Sequence, residues 1–266
     1  MTATIIVSTP TPLLEAMEEN LHGHIAFVQK QLPAMTVDDR EDLLLVDAHL
    51  PTDTFNKIAR ARLSEAEADH RIAEAVAYFR RARRPFAWWV GPCSRPLDLE
   101  RRLEEHGLRA AEFELGMAAD LTRLPARMGL PAGLEVRRVR TPEELADFAA
   151  VNAGDPPDAA VLTFFQSAAP LLLQTDCPMQ LFVGYVEDCA VAANGLFLAA
   201  GVAGIYGVST RKAFQRRGIG LAMTWAAADQ GRRLGAATAT LLASDEGRGV
   251  YARLGFSRCC QFVEYQ

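Results

Sequence analysis

The stretch Gln215-Arg216-Arg217-Gly218-Ile219-Gly220 constrains this chain more than any other. It follows the apolar run Gly204-Ile205-Tyr206-Gly207-Val208 and precedes the helix-like run Leu221-Ala222-Met223-Thr224-Trp225-Ala226-Ala227-Ala228. The order is strand, basic glycine loop, helix. Backbone N–H groups at a helix start have no intrahelical partner and point outward. Glycines beside them let an anion reach the backbone, because no Cβ stands in the way. The arrangement suits a pyrophosphate. A dinucleotide fingerprint would need Gly-x-Gly-x-x-Gly, and a P-loop would close on Gly-Lys-Ser/Thr; neither is present. Spacing alone leaves an ordinary helix start with a basic first turn as the alternative.

Gly207-Val208-Ser209-Thr210 followed by Gln215 to Gly220 resembles motif A of the GNAT superfamily of N-acetyltransferases, whose form is Gln/Arg-x-x-Gly-x-Gly/Ala. A second signature of that family resembles Val250-Tyr251-Ala252-Arg253-Leu254-Gly255-Phe256 downstream. The resemblance covers the chain from about Leu134 to the end. It implies a mixed α/β sheet in the order β-α-α-β-β-β-α-β-α-β, and acetyl-CoA as co-substrate. It also implies roles for individual residues. The pyrophosphate would sit over Gln215, Arg216, Arg217, Gly218, Ile219 and Gly220, with the pantetheine along the preceding strand near Val208 and Thr210. The Val208 N–H would donate to the thioester oxygen, and the Tyr251 hydroxyl would protonate the departing sulfur. Ser244 and Asp245 stand where the family often has a cofactor-contacting asparagine, and Lys212 stands where it prefers proline.

The chain has 266 residues, half of them hydrophobic, which allows one large domain or two small ones. A formal net charge of -5 argues against a nonspecific nucleic-acid binder, although Arg211, Lys212, Arg216 and Arg217 make a local basic patch. The apolar runs break well before the roughly 20 residues of a membrane span. Met1 to Pro10 shows no basic segment leading into an apolar one. The five cysteines, Cys93, Cys177, Cys189, Cys259 and Cys260, lack metal-site spacing. Their odd number fits thiols in a reducing cytoplasm.

The first half carries its own pattern. Thr4-Ile5-Ile6-Val7 is short and strand-like, and Leu13 to Gln31 has helical periodicity, with His22 and His24 read as partly exposed polar groups. Phe86-Ala87-Trp88-Trp89-Val90 is a strand whose adjacent tryptophans face opposite ways, one into a core and the other towards a groove or domain interface. Ala111 to Met117 is another strand. Leu99 to Leu108 echoes Gly249 to Phe256: short helix, glycine cap, large apolar residue, strand. No Gly-x-Gly loop follows the strand Phe55 to Ala61. The expectation is therefore a tandem of acyl-CoA N-acyltransferase-like domains. Residues 1–126 form the degenerate one and residues 134–266 the complete one, joined at Arg127 to Gly133. In the second, Thr141-Pro142-Glu143-Glu144 reads as a capped helix start, and Phe256 to Val263 as the strand that closes the sheet.

Acetyl transfer needs a polarised carbonyl, an uncharged nucleophile and a protonated leaving group. No carboxylate stands in Ala200 to Gly204, where relatives of the family often place the base. Asp155 and Asp158, between two helices, are the candidates, beside a water-relayed route. Phe164 and Phe165 are candidates for an apolar acceptor wall. The leading reading is an N-acetyltransferase acting on a small-molecule or protein amine, with no nucleic-acid or membrane partner. The others are a weakly active binding module of the same fold, and a first half that serves as a homodimer or partner surface.

Overall fold

A computed structural model describes residues 12–245 and 247–266; the strand-like Thr4 to Val7 lies outside the described residues. Helix α1 (Pro12–Gln31) leads the described chain. The periodic positions Leu14, Met17, Leu21 and Val28 are buried, but so are Glu18, Asn20, His22 and Gln29. Polar residues sit inside because α1 lies across a sheet face rather than on the rim of one. Asn20, wholly buried, donates from Nδ2 to the carbonyls of Phe197, Ala199 and Val202 at 3.1, 3.0 and 3.1 Å. Its Oδ1 accepts from the Tyr206 hydroxyl at 2.7 Å. His22 is buried too, contrary to the exposed reading of the helix.

After α1 come β1 (Thr36–Asp39), β2 (Leu44–Asp47), β3 (Lys57–Ala59), α2 (Ala68–Ala82), β4 (Ala87–Val90), α3 (Leu99–Glu105) and β5 (Ala110–Asp120). The second half supplies β6 (Leu134–Arg138), α4 (Pro142–Asn152), α5 (Ala159–Leu172), β7 (Met179–Val186), β8 (Cys189–Ala199) and β9 (Val202–Thr210). It ends with α6 (Ile219–Arg233), β10 (Thr238–Ala243), α7 (Arg248–Ala252) and β11 (Ser257–Tyr265). The start of α4 carries both bonds of a capping box between Thr141 and Glu144, with Pro142 in the first turn. No described helix is long and apolar enough to cross a membrane.

All the strands join one mixed sheet, in the order β1-β2-β3-β4-β11-β5-β10-β9-β8-β7-β6. In the first half, β1–β2 and β2–β3 are antiparallel and β3–β4 is parallel. The second half shows the same relations in β7–β8, β8–β9 and β9–β10. The centre of the sheet departs from the sequence expectation. β11 does not close the sheet; it lies inside it, antiparallel to β4 of the first half and to β5. β5 in turn lies between β11 and β10, antiparallel to both. Each half thus gives its last strand to the other.

The cores explain this exchange. Val263 and Tyr265 of β11 are buried with Ile58, Phe79, Trp88 and Leu103 of the first half. Met117 and Ala119 of β5 are buried with Ile205, Ala227 and Leu241 of the second. Trp88 and Tyr265 face each other in the register and are 0% and 2% exposed. Burying side chains of this size contributes roughly 1.5–3 kcal/mol each. A strand slipped by one residue would turn both outward.

Candidate active site

The site begins where two strands part. The parallel ladder between β9 and β10 runs only from Ala203–Ala239 to Ile205–Leu241. β9 continues to Thr210, so its last residues border an opening in the sheet. On its other side β9 pairs with β8 through a bulge: Tyr206 faces Gly195 and Ser209 faces Ala193, which leaves Gly207 and Val208 opposite Asn194 alone. Gly207 has φ +60°, a conformation that favours glycine. The bulge takes Val208 out of regular pairing with β8, beyond the end of the β9–β10 ladder.

The basic loop then folds on itself. Arg211 Nε donates to the Ala190 carbonyl at 2.8 Å, and Gln215 Nε2 to that of Thr210 at 3.1 Å. Arg217 donates to the Ala213 carbonyl at 3.0 Å and lies 5.1 Å from the Phe214 ring centroid. Gln215 and Arg217 therefore brace the loop, whereas Arg216 and Lys212 project as exposed charges. Gly218 caps α6 with φ +79°, and no side chain caps the helix. The first helical bond runs from the Ala222 N–H to the Gly218 carbonyl at 3.1 Å, so the N–H groups ahead of Ala222 have no intrahelical acceptor. A Cβ on Gly220 would lie 3.9 Å from Thr210 Oγ1, which sets the helix start beside the end of β9. Residues of this kind fit a diphosphate: an uncapped helix start, a left-handed glycine and free positive charge.

Below the opening lies a cleft of about 610 Å³. Val208, Ser244 and Tyr251 line it from the second half. Tyr251 is 9% exposed, and burial, followed by the charge of Glu114, holds its phenol above the usual range. At neutral pH the hydroxyl therefore keeps a proton it can donate.

The opposite wall comes from the first half and from β11. Phe55, Lys57, Trp89, Glu112, Glu114 and Glu264 all border the cleft. The exchanged strands place them there: Glu112 pairs with Glu264, and Glu264 with Trp89, so the three share one sheet face. Glu264 Oε2 accepts from Lys57 Nζ at 3.0 Å and from Trp89 Nε1 at 2.6 Å, and Oε1 accepts from Gln266 Nε2 at 2.8 Å. Glu114 makes no hydrogen bond among the described residues. Burial pushes its carboxyl up to about 7, the charges of Glu112 and Glu264 add to the rise, and Lys57 offsets part of it. His24 also borders the cleft, its ring stacked on Tyr206 at 3.9 Å. Burial lowers its pKa to about 3, so the imidazole is neutral. Phe164 stacks on Phe55 at 3.7 Å, and Phe165 stands edge-on to that ring at 6.1 Å.

The sequence candidates divide accordingly. Val208, Ser244, Tyr251, Phe164 and Phe165 meet in the cleft, and Thr210 and Gln215 to Gly220 follow the end of β9 at the helix start. Asp155 and Asp158 are exposed and border no part of the cleft. Asp158 is consumed as the cap of α5, accepting from the Ala160 N–H at 2.8 Å. Trp88 is the core residue of the pair, and Trp89 lines the groove. Sequence reasoning missed Lys57, Glu112, Glu114 and Glu264. A signal existed in Glu112-Phe113-Glu114: Phe113 is 60% exposed, whereas Glu114 is half-buried and both acids border the cleft, Glu112 at its exposed end.

Residues 144–256 match the model of the Acetyltransferase (GNAT) family. Among solved structures, the chain is similar to a GCN5-related N-acetyltransferase from Kribbella flavida, with 21% identity over 92% of this chain and 95% of that one and a TM-score of 0.68. It is similar to a GCN5-related N-acetyltransferase from Sphaerobacter thermophilus, with 19% identity over 96% and 93% and a TM-score of 0.59. A tandem GNAT protein from the clavulanic acid biosynthesis pathway gives 13% identity over 96% and 93% and a TM-score of 0.61. A search of curated proteins gives no match. The fold is that of the GNAT superfamily of acetyltransferases, with the family signature carried by the second half.

Proposed function

We propose that this protein is an N-acetyltransferase that moves the acetyl group of acetyl-CoA to a primary amine of a small molecule or a protein. The observation that carries this reading is the parting of β9 and β10, which connects an uncapped, basic helix start to a cleft holding Val208 and Tyr251. The N–H groups of Gly218 to Leu221 and the charge of Arg216 would hold the pyrophosphate. Val208, freed by the bulge, would orient the thioester through its N–H, and Tyr251 would give its proton to the sulfur. Bound acetyl-CoA supplies an activated acyl group on a thiol leaving group. The chain's task is to position an amine in line with it and to manage two protons.

The repeated pairing order of the halves supports a tandem origin, with 1–126 degenerate and 134–266 complete. The five free cysteines agree with a reducing, cytoplasmic setting. Calorimetric titration of the full chain with acetyl-CoA tests the reading, followed by thiol release with amine acceptors. Micromolar binding and turnover are expected. A folded protein that does not bind acetyl-CoA would overturn the proposal; binding without turnover on any amine would reduce it to a binding module.

A further inference from the structure

The first-half wall of the cleft is strongly acidic. Asp53, Glu112, Glu114 and Glu264 border it against a single cationic side chain, Lys57. Lys57 is already bound to Glu264, and Asp53 accepts from Gln266 Nε2 at 2.7 Å. Glu112 and Glu114 have no hydrogen-bond partner among the described residues. They stand two apart on β5, hence on one face and about 7 Å from each other along the strand. Glu114 is the inner of the two. It is close enough to Tyr251 to raise the phenol's pKa, and it lines the cleft together with Tyr251 and Ser244. Glu112 stands further out, opposite Glu264. Phe55, with Phe164 and Phe165 of α5, gives the same cleft an apolar wall.

Resting on the acetyl-transfer reading, we infer that the acceptor is a diamine: a primary ammonium that delivers its proton to Glu114, joined by a short apolar stem to a second cation held by Glu112. Glu112 is exposed at the outer end of the cleft with no hydrogen-bond partner among the described residues, so its carboxylate is available to a second cation, and a carboxylate on the acceptor would be repelled by the whole wall. The groups facing Glu114 are Glu112 on its own strand, Glu264 on β11, Lys57 on β3 and Tyr251 on α7. Their balance leaves it able to take a proton near neutral pH. In the transfer, the amine nitrogen bonds the acetyl carbon and the carbon–sulfur bond breaks. Two protons leave the nitrogen: Glu114 carries one to solvent, and the other balances the proton that Tyr251 gives to the sulfur. Acetylation removes the charge facing Glu114, so the product is held less tightly than the substrate.

The test uses the full chain with diaminobutane, butylamine and 4-aminobutyrate as probes, and the variants Glu112→Gln and Glu114→Gln. Binding of each amine and of acetyl-CoA is read by calorimetry, and transfer by thiol release across pH 5.5–9. Diaminobutane should exceed butylamine at least tenfold in kcat/KM, and 4-aminobutyrate should be poorest. Glu112→Gln should raise KM for diaminobutane about tenfold more than for butylamine, and weaken calorimetric binding of the diamine alike. Glu114→Gln should lower kcat about a hundredfold and remove the rising limb near pH 7, with acetyl-CoA still bound. Butylamine as good as the diamine, 4-aminobutyrate as the best acceptor, or wild-type kinetics in both variants would overturn the inference. Binding of acetyl-CoA without binding or acetylation of diaminobutane would overturn it while sparing the acetyl-transfer reading. Failure of the folded protein to bind acetyl-CoA would sink both.

Discussion

Gly220→Asp separates the anion site from the stability of the helix that forms it. Gly220 is the second residue of α6, and its φ is not in the left-handed region. A Cβ there would meet only Thr210 Oγ1, at an ordinary 3.9 Å. The backbone therefore accepts aspartate without strain. Replacing glycine in a helix gains a few tenths of a kcal/mol, and a carboxylate in the first turn gains about 0.3–1 kcal/mol from the helix dipole. Together they predict a protein as stable as wild type, or up to about 1 kcal/mol more so, equivalent to a rise of about 2–4 °C in Tm at most. The same carboxylate stands where the pyrophosphate would come. Two like unit charges at 4 Å cost about 4 kcal/mol at an effective dielectric of 20, which is roughly a thousandfold in Kd. Calorimetry with acetyl-CoA, beside a thermal melt, reads both effects. Wild-type stability with affinity reduced at least a hundredfold is expected. Affinity within threefold of wild type would refute the placement of the diphosphate at this helix start.

Other substitutions probe the rest of the site. Tyr251→Phe conserves volume and removes a hydroxyl that makes no hydrogen bond among the described residues. It should lower kcat by about ten- to a hundredfold while leaving acetyl-CoA affinity and Tm nearly unchanged. Glu114 carries a carboxyl raised from 4.5 to about 7 in the folded protein. Between those pH values the folded chain keeps a proton the unfolded chain has lost, so stability falls as pH rises, by at most about 3 kcal/mol. Glu114→Gln should therefore match wild type in urea unfolding at pH 4 and exceed it at pH 8, as its activity falls. Asn20→Ala removes the amide that ties α1 to the β8–β9 turn and should cost about 2–4 kcal/mol in urea unfolding, with Tyr206 and the cleft loosened.

Much of the fold was legible because its local signals are strong. Thr141, Pro142 and Glu144 mark a helix start by side-chain chemistry alone, and the basic loop between β9 and α6 carries its own geometry in two glycines. What the sequence concealed is which distant strands would pair. Ala111 to Met117 and Phe256 to Val263 both read as strands, and nothing in the alternation of either says that each would finish the other half's core. Little in the sequence therefore singles out Glu112 and Glu114, whereas Asp155 and Asp158 stand nearer the motifs in sequence. Asp158 had a simpler use as a helix cap. His24 and Trp89 likewise border the cleft only because the first half packs against the second.

The strand exchange also fixes an order of events during synthesis. Trp89 and Glu264, bonded side chain to side chain, are 175 residues apart in the chain. When the ribosome has finished β4, the strand that will cover its edge does not yet exist, and β5 has no neighbour on either side until β10 and β11 arrive. The nascent first half therefore waits with open, hydrogen-bonding edges, a state in which chains recruit one another. Contacts this remote make folding slow. A ribosome-bound fragment stopped before β11 should be sensitive to protease and bound by chaperones, and the finished chain should acquire its resistance in one late step.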